Sequence, residues 1–141
     1  MVNKAEVQQL IDAINWPSSQ FEMSLWRNHT ECGTAYCLGG WVAHLNGIGD
    51  NRIEGEVPFD VMEYAAEALG LEDEDIAWRL FIMGRPGYRR DGRNAFDDLR
   101  AEQRKAIATR VLEELRDTGG FEWRKHWEAV APGTVPEYLT V

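Results

Sequence analysis

The sequence predicts a mostly α, single-domain bundle of about five helices. Three observations carry that expectation. The 141 residues are 44% hydrophobic and 11% aromatic, enough for one well-formed core and too few for two. Apolar residues recur at three- and four-residue steps in several stretches, as they do on helices with one buried face. Gly or Pro follows most of those stretches, at Pro17, Gly47, Gly70 and Gly119-Gly120, where helices are expected to stop.

The first helix carries Val7, Leu10, Ile11 and Ile14 on one stripe and ends at Trp16-Pro17. "FEMSLW", residues 21–26, alternates Phe21, Met23 and Leu25 with polar neighbours and reads as a short extended segment. Thr34 is expected to N-cap a helix running to about Leu45, with Gly47 as its terminator and a loop over "GIGDNRIEGE". Pro58 suits the first turn of a helix whose stripe is Val61, Ala65, Ala68 and Leu69, ending at Gly70. Asp73 and Asp75 favour the start of a short helix bearing Ile76, Leu80 and Phe81, because carboxylates stabilise a helix N-terminus.

"MGRPGYRRDGRN", residues 83–94, has the Gly, Pro and Arg content of an exposed loop. A long helix from about Ala101 to Asp117 follows, with Ile107, Ala108, Val111, Leu112 and Leu115 on one side and Arg104 and Arg110 off it. "FEWRKHW" adds a final turn or two, and the domain, residues 1–141, closes in an extended tail over 133–141. Trp26, Trp41 and Trp78 fit core positions. Trp16, Trp123 and Trp127 lie near element ends and are read as half exposed, where aromatics anchor interfaces.

The formal net charge of −9 is unevenly placed: residues 1–70 hold three Lys/Arg against ten Asp/Glu, and 71–141 hold twelve against fourteen. An acidic surface repels nucleic acid and membrane head groups and attracts a basic partner. The opening "MVNKAEVQQLIDAIN" has charges at Lys4, Glu6 and Asp12, unlike a signal peptide, and no run is long enough to span a bilayer. With two cysteines and no export signal, the expected setting is a reducing cytoplasm with free thiols.

Both cysteines fall in "CGTAYCLGGW", residues 32–41. The leading reading is packing. Gly39 and Gly40 each cost a helix about 1 kcal/mol relative to alanine, which close approach of a second helix across Gly39, Gly40 and Ala43 would offset, with Cys37 and Trp41 filling the core. A second reading takes His29, Cys32, Cys37 and His44 as zinc ligands, in a His-x2-Cys-x4-Cys-x6-His series. Against it, Cys37 and His44 would lie two turns apart on one helix, about 10 Å, so convergence needs the helix to break at Gly39-Gly40. A third makes Cys32 a thiol nucleophile, activated by the N-terminus of the helix capped by Thr34 and by His29 as base. A Cys32–Cys37 disulfide is disfavoured by the reducing compartment.

"FEMSLW", "CGTAYCLGGW", "VMEYAAEALGL" and "AWRLF", over about residues 21–82, resemble a group of small uncharacterised proteins from bacteria and their phages. These share a Cys-Gly-Thr-x-x-Cys-x-x-Gly-Trp core, matched here by Cys32, Gly33, Thr34, Cys37, Gly40 and Trp41. Many members have alanine where this chain has Gly39, and His29 and His44 stand outside the shared core, which weakens the zinc reading. The resemblance implies bacterial or phage provenance and carries no activity.

No Gly-x-Ser-x-Gly, His-Glu-x-x-His or phosphate-loop motif is present. "DNRIEG" begins like a calcium loop, but Arg52 and Val61 stand where ligands belong. Arg85, Tyr88, Arg89, Arg90 and Arg93 form a candidate anion-binding loop. The expectation is therefore a non-enzymatic, acidic interaction protein of bacterial or phage cytoplasm, with no cofactor, that binds a host protein with a basic surface or a second copy of itself.

Overall fold

The computed structural model describes residues 2–16, 27–30, 33–36, 38–45, 59–81, 95–136 and 139. Among them are six α-helices: α1 (Lys4–Ile14), α2 (Leu38–Leu45), α3 (Phe59–Leu69), α4 (Glu74–Phe81), α5 (Ala101–Thr118) and α6 (Trp123–Val130). A two-stranded antiparallel hairpin, β1 (Arg27–Thr30) and β2 (Gly33–Tyr36), precedes α2, and a 3-10 turn, Ala95–Asp98, precedes α5. The architecture is mostly α, as the periodicity requires.

The centre is the pair α1 and α5. The α1 stripe Val7, Leu10, Ile11 and Ile14 is buried against Ile107, Ala108, Val111, Leu112 and Leu115 of α5. The helices run antiparallel, since Gln8 Oε1 accepts from Arg116 Nη1 (2.6 Å) while Asn15 Nδ2 donates to Thr109 Oγ1 (2.7 Å). Asn3 caps α1 by accepting from the Glu6 amide (3.2 Å), and its own amide donates to the Leu69 carbonyl (2.8 Å). The start of α1 is thereby tied to the end of α3.

Two glycine terminators behave as their sequence positions imply. Gly70 has φ +74, and the Leu71 amide closes back on the Ala66 carbonyl at 2.8 Å, the bond that ends a helix in a left-handed residue. Gly119 has φ +83, with its amide on the Leu115 carbonyl (2.9 Å). A Cβ at Gly119 would meet nothing within 4 Å, so its cost is backbone strain alone. Gly119→Ala is expected to lower stability by about 1 kcal/mol, read as a shift in urea midpoint with unchanged slope.

Several expectations are corrected. Residues 33–36 are strand, with Thr34 opposite His29, and α2 begins at Leu38. Thr34 is therefore no helix N-cap; its β-branched side chain and the neighbouring Tyr36 favour extended backbone. Among the described side chains of α2, Leu38 and Val42 are fully buried, Trp41 is half-buried, and Leu45, the last residue of the helix, is 41% exposed. The core position expected of Trp41 is taken by Leu38 and Val42, and Cys37 lies outside the described residues.

The C-terminal region is corrected further. Trp123 and Trp127 are each 1% exposed, because α6 is a full two-turn helix whose inner face is Trp123, His126 and Trp127. Both rings stand edge-on to Phe96 (5.9 and 5.5 Å between centroids), a core residue of the 3-10 turn that periodicity does not reveal. The expected extended tail instead turns back at Gly133 (φ +79), and Leu139 is buried. Trp127 Nε1 donates to Thr134 Oγ1 (2.9 Å), and Arg124 Nη1 donates to the carbonyls of Pro136 and Leu139 (3.2 and 2.5 Å). Of the other tryptophans, Trp16 is exposed as expected (66%).

Candidate functional site

Charge singles out the α3–α4 region. From residue 53 to residue 78 there are nine carboxylates and no Lys or Arg. Six of these, Glu63, Glu67, Glu72, Asp73, Glu74 and Asp75, are exposed on α3, α4 and the link between them, with half-exposed Tyr64 beside them on α3. The placement follows from the local folding. Ala65 and Leu69 take the inward positions of α3, and Ala77 and Leu80 those of α4, so the carboxylates have only the outer faces. Asp73 also caps α4, accepting the Asp75 amide at its side chain (2.9 Å) and the Ala77 amide at its carbonyl (3.1 Å). The ridge straddles residue 70, with two of its carboxylates before that residue and four after it.

Beside the ridge lies a groove of about 470 Å³. Its apolar lining is Val2, Leu71 and Ile76, each half-buried against the core. Its polar lining is Lys4 of α1, Glu72 and Asp73 of the α3–α4 link, and Arg116 and Asp117 of the last turn of α5. Arg116 is already engaged, by Asp117 at 2.9 and 3.2 Å and by Gln8. That hydrogen bond from Arg116, with the nearby charge of Lys4, holds the Asp117 carboxyl below the usual range for aspartate.

A second polar cluster joins α5 to α6. Glu114 Oε1 lies 2.9 Å from His126 Nε2 and accepts the Glu122 amide (3.1 Å), while Glu114 Oε2 accepts from Lys125 Nζ (2.7 Å). Arg110 Nε donates to His126 Nδ1 (3.3 Å). An arginine nitrogen can only donate, so Nδ1 is the acceptor and the imidazole proton sits on Nε2, facing Glu114. Both ring nitrogens are thus engaged by neighbouring side chains. The cluster ties two helices together.

Arg79 presents a different arrangement. Its buried Nε approaches Asp75 Oδ2 at 3.3 Å without the alignment of a hydrogen bond, so the attraction there is Coulombic. The guanidinium also lies over the Phe121 ring at 5.6 Å, and the Arg79 carbonyl accepts from Trp123 Nε1 (3.0 Å).

The residues singled out by motif are only partly placed. Gly33 and Thr34 lie in β2; Gly39, Gly40 and Trp41 lie in α2, which runs unbroken through the two glycines. His29 lies on β1 and His44 on α2, while Cys32 and Cys37 are outside the described residues. Because α2 begins at Leu38, Cys37 and His44 do not share one helix, and the zinc series no longer depends on a break at Gly39-Gly40. Strand β2, and not the helix expected from Thr34, follows Cys32. Among the described residues no group of three His, Cys, Asp or Glu is arranged to hold a metal. The loop of Arg85, Tyr88, Arg89, Arg90 and Arg93, the segment 21–26 and the "DNRIEG" stretch lie outside the described residues. No described helix is long and apolar enough to cross a membrane. Comparison with known protein families, with curated proteins and with solved structures finds no match to this chain.

Proposed function

We propose that this is an acidic interaction protein of bacterial or phage cytoplasm, which binds and modulates a host protein through that protein's basic surface. The observation that supports it is the α3–α4 ridge: six exposed carboxylates and a half-exposed tyrosine in a stretch without a basic residue between positions 53 and 78. Concentrated charge of one sign costs self-repulsion in the folded state, and it raises the rate at which an oppositely charged partner docks. Tyr64 supplies the apolar area that charge alone lacks, as tyrosines do in interfaces.

The test compares immobilised wild type with a Glu63→Lys/Glu67→Lys variant against host lysate, followed by affinity measurement on each retained protein. Both positions are exposed, so the fold is expected to survive. A basic protein should be retained by wild type at 0.15 M salt, with affinity about tenfold weaker for the variant and falling further as salt shortens the screening length. Equal retention of the same proteins by both forms would exclude the ridge as the binding surface.

A further inference from the structure

We infer that the groove between the start of α1, the α3–α4 link and the end of α5 is the anchor point of that interface, and that it receives an arginine or lysine side chain from a short segment of the partner protein. This rests on the ridge reading and adds the position and chemistry of the contact. A groove of about 470 Å³ lies within the roughly 300–1,000 Å³ of sites that enclose a small ligand or a few side chains.

Two independent features select the occupant. The lining by Val2, Leu71 and Ile76 is apolar and offers nothing to a compact hydrated ion, but it matches the methylene stem of a long basic side chain. The polar lining selects the head group: it includes Glu72 and Asp73 and the C-terminal end of α5, the negative end of its dipole. Of the lining charges, Arg116 and Asp117 are paired with each other, which leaves Glu72 and Asp73 against Lys4. The ridge continues outward from Glu72 and Asp73 through Glu74 and Asp75, so a bound segment would pass from the groove onto carboxylates. Glu72 and Asp73 thus outnumber Lys4 in the groove, and the excess of negative charge continues onto the ridge.

The probe is a blocked pentapeptide, acetyl-Ala-Leu-Arg-Leu-Ala-amide, with counterparts carrying Gln or Glu in place of Arg, titrated into the full chain and followed by amide chemical shifts. Shifts should cluster at Leu71, Ile76 and Gly119, with the Arg peptide binding about fivefold tighter than the Gln peptide and the Glu peptide weakest. Glu72→Gln should weaken the Arg peptide by a similar factor. Lys4→Gln should strengthen it by about two- to fivefold, a gain that a damaged fold cannot produce. Equal binding of the three peptides, or shifts confined to α3 away from the groove, would overturn the inference. The ridge reading fails separately, when Glu63→Lys/Glu67→Lys leaves partner retention unchanged; retention lost in that variant without groove shifts would overturn the groove alone.

Discussion

Trp123→Ala is expected to destabilise the protein by about 3–5 kcal/mol, the usual cost of emptying a large aromatic site in a core. Trp123 is 1% exposed, packs edge-on against Phe96 and Phe121, and donates from Nε1 to the Arg79 carbonyl at 3.0 Å. The alanine variant removes the ring from the junction of α4, α6 and the 3-10 turn, and it also deprives a carbonyl of its donor. Trp123→Phe separates these losses. It keeps most of the apolar volume and forfeits the hydrogen bond, for about 1–2 kcal/mol. Trp16→Ala is the control: at 66% exposure its effect should stay within about 0.5 kcal/mol. Urea denaturation of the three variants measures the order, and a Trp123→Ala cost no larger than that of Trp16→Ala would contradict the described core.

Glu114→Leu should cost about 1–3 kcal/mol, because it leaves the proton of His126 Nε2, the Glu122 amide and Lys125 without their common acceptor. The same carboxylate imposes a pH dependence. Burial raises its pKa, but hydrogen bonds from Lys125, His126 and the Glu122 amide oppose that and prevail, so the folded-state value lies below that of an ordinary glutamate. A group whose pKa is depressed by folding binds fewer protons folded than unfolded. Its contribution is complete above the unfolded value, about pH 4.3, and is lost as pH falls through the folded value. Glu114→Gln keeps an acceptor and removes the titration. Its stability curve should be flatter than wild type below about pH 4.5, and parallel curves would show that Glu114 does not carry the acid limb.

Helices with a complete apolar stripe were legible as sequence. In α1 and α5 every residue of the expected stripe is buried, because a periodic apolar face can be satisfied only by packing against another such face. Gly70 and Gly119 marked their helix ends, since a left-handed terminal residue is a local requirement that a neighbouring chain cannot change. The charge imbalance was legible too, although its concentration on α3 and α4 appeared only when those helices turned their small and aliphatic residues inward.

Partnership decided the rest. Thr34 has the chemistry of an N-cap and of a strand residue; pairing with His29 across the hairpin selects the strand. Trp123 and Trp127 stand in a short polar stretch whose composition is that of an interface rim, and they are buried because Phe96, far away in sequence, supplies the ring they pack against. The groove could not be read at all from local pattern, because its walls come from the starts and ends of separate elements brought together by the Asn3–Leu69 and Gln8–Arg116 contacts. Residue order alone determined a mostly α chain, its two central stripes and its acidic balance, all properties of short-range spacing and composition. Which aromatics are buried, where the carboxylates are displayed and what they border depended on long-range contacts, which only the assembled tertiary structure contains.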